Sequence, residues 1–249
     1  MRFLRSCLTV FCFALFGFGG IIVGMILFPI FSLSVRPEKK KFILSATVRA
    51  SWIFFVKVMT FLRLIKVQVE GKKDFKNIKG NIIVANHPTL IDVVLLVSLI
   101  PDCICVVKNG LANNFFIKHI IRGVYLVNNE NPEDFLKKGS DILSKGLNIV
   151  IFPEGTRTTD FSKAPEKIYR GFAQLAVRSN APVLPIQIDC TPLILGKNQK
   201  WYNVDKKTVL YTLQFLPPIK PSKNSNVSFH TQAKALSEKV TEKLFKRTY

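Results

Sequence analysis

Hydrophobic and polar positions divide the chain near residue 65. Between Ser6 and Val35 no side chain is charged. As a helix, that run of about 30 residues would be roughly 45 Å long, against a hydrocarbon core of about 30 Å. Arg2 and Arg5 flank it on one side, and Arg36, Lys39, Lys40 and Lys41 on the other. By the positive-inside rule the heavier cluster keeps residues 36 onward in the cytosol. The run is too long for a signal peptide and lacks a clear small-x-small cleavage site, so it predicts an uncleaved anchor. Gly17, Gly19, Gly20, Gly24 and Pro29 permit a kinked or re-entrant course, which leaves open whether the segment spans the bilayer or enters one leaflet. Residues 42–65 are also apolar, interrupted by Arg49, Lys57 and Arg63. A helix lying in the membrane interface and a core helix of the next domain fit them equally.

Beyond residue 65 the period changes. Val67–Glu70 alternates as a short strand, as does Val209–Phe215, whereas Ile82–Ala85, Cys103–Val107 and Leu147–Phe152 are short apolar runs of buried strands. Pro182 and Pro185 suit the ends of a further strand at 183–188, or an edge position for it. Helical patterns lie between and after these runs. One covers Val93 to Ile100, a second Pro132 to Lys145 with Asn131 or Asn128 as cap and Gly146 as stop, a third ends near Asn180, and a fourth spans Thr231 to Lys246. Phe115-Phe116-Ile117 and Ile120-Ile121 form an apolar patch that fits a lipid groove wall and a helix packed on a sheet equally. Strands alternating with helices predict a three-layer α/β domain over residues 66–249, preceded by membrane-anchoring and interfacial helices over residues 1–65.

Charge sharpens this division. The 249 residues hold 36 Lys and Arg against 16 Asp and Glu, a formal charge of +20, yet 48% are hydrophobic and 21 are Phe. No nucleic-acid-binding fingerprint accompanies the charge. A basic, apolar chain fits an anionic membrane, where each Lys or Arg near the surface contributes about 1 kcal/mol. The five cysteines, at 7, 12, 103, 105 and 190, make no even framework and no C-x-x-C pair. They read as reduced, buried thiols in a cytosol-facing domain, with no zinc site.

Two stretches carry candidate chemistry. Asn86-His87-Pro88-Thr89-Leu90-Ile91-Asp92 follows the Ile82–Ala85 strand. Asn86 would cap the next helix, Pro88 would sit in its first turn, and Asp92 about one turn past His87 would come within reach of the imidazole. A neutral imidazole held in one tautomer by a carboxylate takes a proton from a hydroxyl, for roughly 100- to 10,000-fold in rate. The second stretch, Phe152-Pro153-Glu154-Gly155-Thr156-Arg157-Thr158, ends a buried strand in a polar turn. Gly155 lets backbone approach a ligand, and Arg157 offers a planar fork to a phosphate. Glu154 would orient a cation, accept from a hydroxyl, or pair with Arg157 to hold the turn. Backbone amides near Gly155 are candidates to hold an oxyanion.

With both motifs in order, the chain from about residue 66 to 216 resembles the glycerolipid and lysophospholipid acyltransferase family. That resemblance implies a three-layer domain with a mixed sheet, His87 as general base and Asp92 as its orienting acid. It implies an acceptor site of Glu154, Gly155, Thr156 and Arg157, with Lys108 and Arg170 nearby. The reaction implied is transfer of an acyl group from acyl-CoA or acyl carrier protein to a glycerolipid or lysophospholipid hydroxyl at the cytosolic face of the cytoplasmic membrane, without metal or cofactor. One position departs. Where the family segment between the two motifs ends in an arginine that helps hold the acceptor phosphate, this chain has Asn129. Phosphate recognition would then rest on Arg157, Lys108 or Arg170, or the acceptor would be another lipid, such as an aryl-polyene precursor. The competing readings are a membrane-anchored lipid-binding protein without turnover and a hydrolase using water as acceptor. No Gly-x-Ser-x-Gly elbow supports a serine esterase.

Overall fold

A computed structural model describes residues 2–71, 74–75, 77–108, 110, 118–128, 131–158, 165, 167–200, 207–222 and 226–245. Its centre is a seven-stranded sheet of order β1-β7-β6-β2-β5-β3-β4. The strands are β1 (Ile65–Glu70), β2 (Ile82–Ala85), β3 (Cys103–Lys108), β4 (Leu126–Asn128), β5 (Asn148–Ile151), β6 (Val183–Thr191) and β7 (Val209–Phe215). Only the β6–β7 pair is antiparallel, so the sheet is mixed. β2 and β5 lie at its middle and are buried at every position, as the unbroken apolar runs of strands covered on both faces require.

Helices cover both faces. On one, α3 (Pro37–Phe61) packs on α4 (Asp92–Leu99) and α5 (Lys118–Val124). On the other, α6 (Pro132–Ser144), α7 (Gly171–Ser179) and α8 (Phe229–Phe245) pack in sequence. The Asn131 side chain caps α6 by accepting from Glu133 N–H at 3.0 Å, and Asn180 ends α7 with φ of 54°. The three layers follow the alternation of periods along the chain.

Pro185 departs from its expected position. It lies inside β6, which sits between β7 and β2, and is paired with Val84 rather than placed at an end or edge. The β6–β7 ladder begins only at Ile186, and beyond it Val183 makes an isolated bridge to Ile219. The missing N–H of Pro185 falls in this break, while its carbonyl accepts from Leu216 N–H at 3.0 Å.

The apolar N-terminal segment forms α1 (Arg2–Ile22), a π-helical turn at Val23–Leu27, and α2 (Phe28–Ser34); α3 then runs back beside it. Phe3–Phe31 and Lys39–Phe61 are each long and apolar enough to cross a membrane. Both ends of the first segment touch the domain. Arg5 donates to the carbonyls of Arg63 at 3.1 Å and Lys207 at 2.8 Å, where β1 and β7 begin. At the far end buried Phe28 lies so close to Gly123 of α5 that a Cβ there would come within 2.9 Å of its ring. Arg5 thus sits beside the domain. Along α3, Leu44, Val48, Trp52, Phe55 and Met59 form a buried helical stripe, which answers the core reading of this segment, while Phe54 and Phe61 stay exposed. Along α1, the π-helical turn and α2, Phe3, Phe11, Phe18, Met25, Ile30 and Leu33 are exposed.

Candidate active site

Register brings the two motifs together. Parallel β2 and β5 set Val84 opposite Ile151, and three positions further on the His87 N–H donates to Glu154 Oε1 at 3.0 Å. On the other flank, Asn86 extends the pairing of β2 with β6. Its Nδ2 donates to the Ile188 carbonyl at 2.8 Å, and its Oδ1 accepts from Ile188 N–H at 2.7 Å. Asn86 is therefore not the helix cap expected of it, and Pro88 is not in a first helical turn. α4 starts at Asp92, after Ile91, without a side-chain cap. Buried Asn86 is spent on holding the loop to the sheet, where an unpaired amide would be costly.

Asp92 reaches His87 as expected. Its Oδ2 lies 2.8 Å from His87 Nδ1, with the His side chain 20% exposed and the Asp side chain 0%. Facing a carboxylate that only accepts, Nδ1 carries the proton, which leaves the Nε2 lone pair free. Thr89 donates twice more, its N–H to Oδ2 at 2.6 Å and its hydroxyl to Oδ1. Burial pushes the Asp92 carboxyl up from the ordinary range, and the bonds from His87 and Thr89 pull it back. The His87 ring stacks on Phe152, with centroids 4.3 Å apart.

Glu154 accepts from a hydroxyl, one of its expected roles. The Thr158 hydroxyl donates to its Oε1 at 2.7 Å, and Thr158 N–H donates to the His87 carbonyl at 2.7 Å. Among the described residues Glu154 makes no ion pair with Arg157. Burial raises its carboxyl, opposed by the bonds from Thr158 and the His87 N–H. Arg157 instead uses Nη1 to hold the carbonyls of Leu195 at 2.8 Å and Gly196 at 2.9 Å. The Leu195 carbonyl also accepts from Leu90 N–H, so one loop ties Arg157 to the His87–Asp92 turn. Gly155 takes a left-handed φ of 63°, and its own N–H donates to the Phe152 carbonyl at 3.1 Å. That amide is committed to the turn, which removes it from the oxyanion candidates.

The remaining expected site residues lie further out. Thr156 is exposed at the tip of the turn, Lys108 is exposed at the end of β3, and Arg170 is exposed just before α7. Asn129 and Phe115-Phe116-Ile117 lie outside the described residues. Of the cysteines, Cys12, Cys103 and Cys105 are buried, whereas Cys7 is exposed and Cys190 half-buried. No group of three His, Cys, Asp or Glu side chains among the described residues is placed to hold a metal. Sequence reasoning missed Tyr211 as part of the site, and it placed Thr89, Phe152 and Thr158 inside the two stretches without foreseeing their contacts to Asp92, His87 and Glu154. Thr89-x-x-Asp92 carries the signature of a capping box, in which the acid reaches back to the Thr N–H, and could have been read as such. Tyr211 lies on a distant strand and left no local signal.

Against known proteins, the acyltransferase family model matches residues 66–189. Residues 66–189 belong to the acyltransferase family. Over 172 residues the chain is 26% identical to a mouse (Mus musculus) 1-acyl-sn-glycerol-3-phosphate acyltransferase alpha, covering 64% of this chain and 56% of that protein. Over 166 residues it is 29% identical to a Limnanthes alba 1-acyl-sn-glycerol-3-phosphate acyltransferase, covering 62% and 55%. The chain thus spans little more than half the length of these relatives. The crystal structure of the 1-acyl-sn-glycerophosphate (LPA) acyltransferase from Thermotoga maritima has the same fold, with a TM-score of 0.68 at 21% identity over the whole of both chains. Both motifs of this acyltransferase fold stand on loops at the carboxyl ends of central strands, where sheets of this kind place their chemistry.

Proposed function

We propose that this protein is a membrane-bound O-acyltransferase that moves an acyl group from acyl-CoA or acyl carrier protein to a lipid hydroxyl of the 1-acylglycerol-3-phosphate type. The observation that carries this reading is the His87–Asp92 pair, with a fully buried acid behind an imidazole that keeps partial exposure. His87 Nε2 takes the hydroxyl proton as the acceptor oxygen attacks the thioester carbonyl. Asp92 stabilises the imidazolium. The carbon–sulfur bond then breaks, and the proton passes to the departing thiolate, leaving an oxygen ester and a free thiol. No acyl-enzyme is required.

Arg157 is the leading ligand for an acceptor phosphate. One of its nitrogens is spent on two loop carbonyls, and the others have no partner among the described residues. Such a fork suits a phosphate through charge-assisted hydrogen bonds. Thr156, Lys108 and Arg170 supply outer hydroxyl and cationic contacts, and Glu154 and Gly155 shape the turn. Metal and cofactor have no role in this scheme. Residues 1–65 attach the chain to the membrane, and residues 66–249 carry the reaction. The exposed apolar side of α1 and α2 enters one leaflet, because both ends of the segment return to the domain, and the basic surface faces anionic headgroups on the cytosolic side.

Mass spectrometry of lipids gained when the chain complements a strain lacking its own acylglycerol-phosphate acyltransferase tests this. Diacylated product should appear with the wild-type chain and not with His87→Ala. A different acylated lipid, such as an aryl-polyene ester, would reassign the acceptor, and unchanged lipids with both chains would favour a non-catalytic lipid binder.

A further inference from the structure

A buried line of hydroxyls continues behind Asp92. Tyr211 on β7 donates from its hydroxyl to Thr89 Oγ1 at 3.2 Å, and Thr89 Oγ1 donates to Asp92 Oδ1. Thr89, Asp92 and Tyr211 are all 0% exposed. β7 lies two strands from β2, so Tyr211 is brought in by the fold and not by the loop that carries His87. Each hydroxyl has one proton to give, and giving it down the line leaves Asp92 an acceptor on both oxygens.

We propose that Thr89 and Tyr211 are positioning residues that keep Asp92 ionised and aimed at His87 Nδ1, so that Nε2 stays the basic nitrogen. This rests on the reading of His87 as the base. The titratable groups around Asp92 are His87, Glu154 after β5, Cys190 on β6 and Tyr211. The Cys190 thiol is directed at the Pro192 carbonyl at 3.4 Å. Burial raises Cys190 and Tyr211, keeping both neutral, so neither adds charge of its own. The line therefore acts through hydrogen bonds. Without the Thr89 hydroxyl, a carboxyl that burial already pushes up rises further. Once protonated, Asp92 no longer holds the imidazole in the tautomer that leaves Nε2 basic, and it no longer stabilises the imidazolium.

The test is the pH profile of kcat for the full chain in lipid vesicles, measured for wild type, Thr89→Val, Thr89→Ser, Tyr211→Phe and His87→Ala, with melting curves to confirm folding. Thr89→Val should lower kcat by about tenfold or more, within the roughly 100- to 10,000-fold that a general base supplies. It should move the acid limb to higher pH while KM for donor and acceptor holds. Thr89→Ser should restore both kcat and the limb. Tyr211→Phe, one bond further out, should cost about two- to tenfold, the worth of one neutral hydrogen bond, and shift the limb in the same direction. A folded Thr89→Val chain with wild-type kcat and an unmoved limb overturns the proposal while His87→Ala remains inactive. Retained activity in His87→Ala instead overturns the underlying reading. If Thr89→Val does not fold, Tyr211→Phe decides the matter, and an unmoved limb in that variant overturns the proposal as well.

Discussion

At the scale of single residues, His87 is fixed by hydrogen bonds to its backbone as well as to its ring. Its N–H is shared between Glu154 Oε1 at 3.0 Å and Thr158 Oγ1 at 3.1 Å, and its carbonyl accepts from Thr158 N–H. Glu154 thus belongs to the framework that seats His87, the proposed base. Glu154→Gln keeps an acceptor for the His87 N–H and the Thr158 hydroxyl, so it should leave acceptor KM unchanged and cost kcat little. Its effect should appear in stability against pH. A carboxyl raised by burial stabilises the fold most below the ordinary carboxylate range, and loses that contribution as pH rises through the raised value. Melting temperatures taken from acid to neutral pH should therefore favour Glu154→Gln over wild type increasingly as pH rises. A difference that stays constant or shrinks would show that burial of this carboxylate is not opposed by the fold.

At the scale of elements, the turn after β5 depends on backbone geometry that a side chain would disturb. Gly155 has φ of 63°, and a Cβ there would lie 2.9 Å from the Tyr169 ring. Gly155→Ala should destabilise the protein by about 1–3 kcal/mol from the left-handed backbone, with a further share from Tyr169. Adding Tyr169→Ala should recover only that share, as denaturant titration of the single and double variants would show. Strands β2, β3 and β5 were legible as unbroken apolar runs, β7 as an alternating one, and the Asn131 cap and the stop at Asn180 from helix-end chemistry, because each is written in neighbouring residues. The His87–Asp92 contact and the hydroxyl partner of Glu154 were legible too. The roles of Asn86 and Pro185 were not, because they depend on strands that these residues meet only after folding: Asn86 bonds to Ile188, and Pro185 falls in a break of the β6–β7 ladder. The same cause hid Tyr211, whose partner Thr89 is 122 positions away.

At the scale of the whole molecule, the proposed seat on an anionic lipid surface draws on the exposed apolar side of α1 and α2 and on a formal charge of +20. Arg5 and Phe28 tie the segment to the domain at both ends. The domain beside this segment holds two loops at the carboxyl ends of β2 and β5, and the proposed chemistry rests on one imidazole. The most direct test is the acceptor-dependent rate of thioester consumption by the purified full chain on anionic vesicles, for wild type and His87→Ala. Wild type should consume acyl thioester only when a lysolipid acceptor is present. His87→Ala should bind the same vesicles and lose roughly 100- to 10,000-fold in rate. A His87→Ala chain that turns over thioester at the wild-type rate would contradict the assignment of His87 as the base.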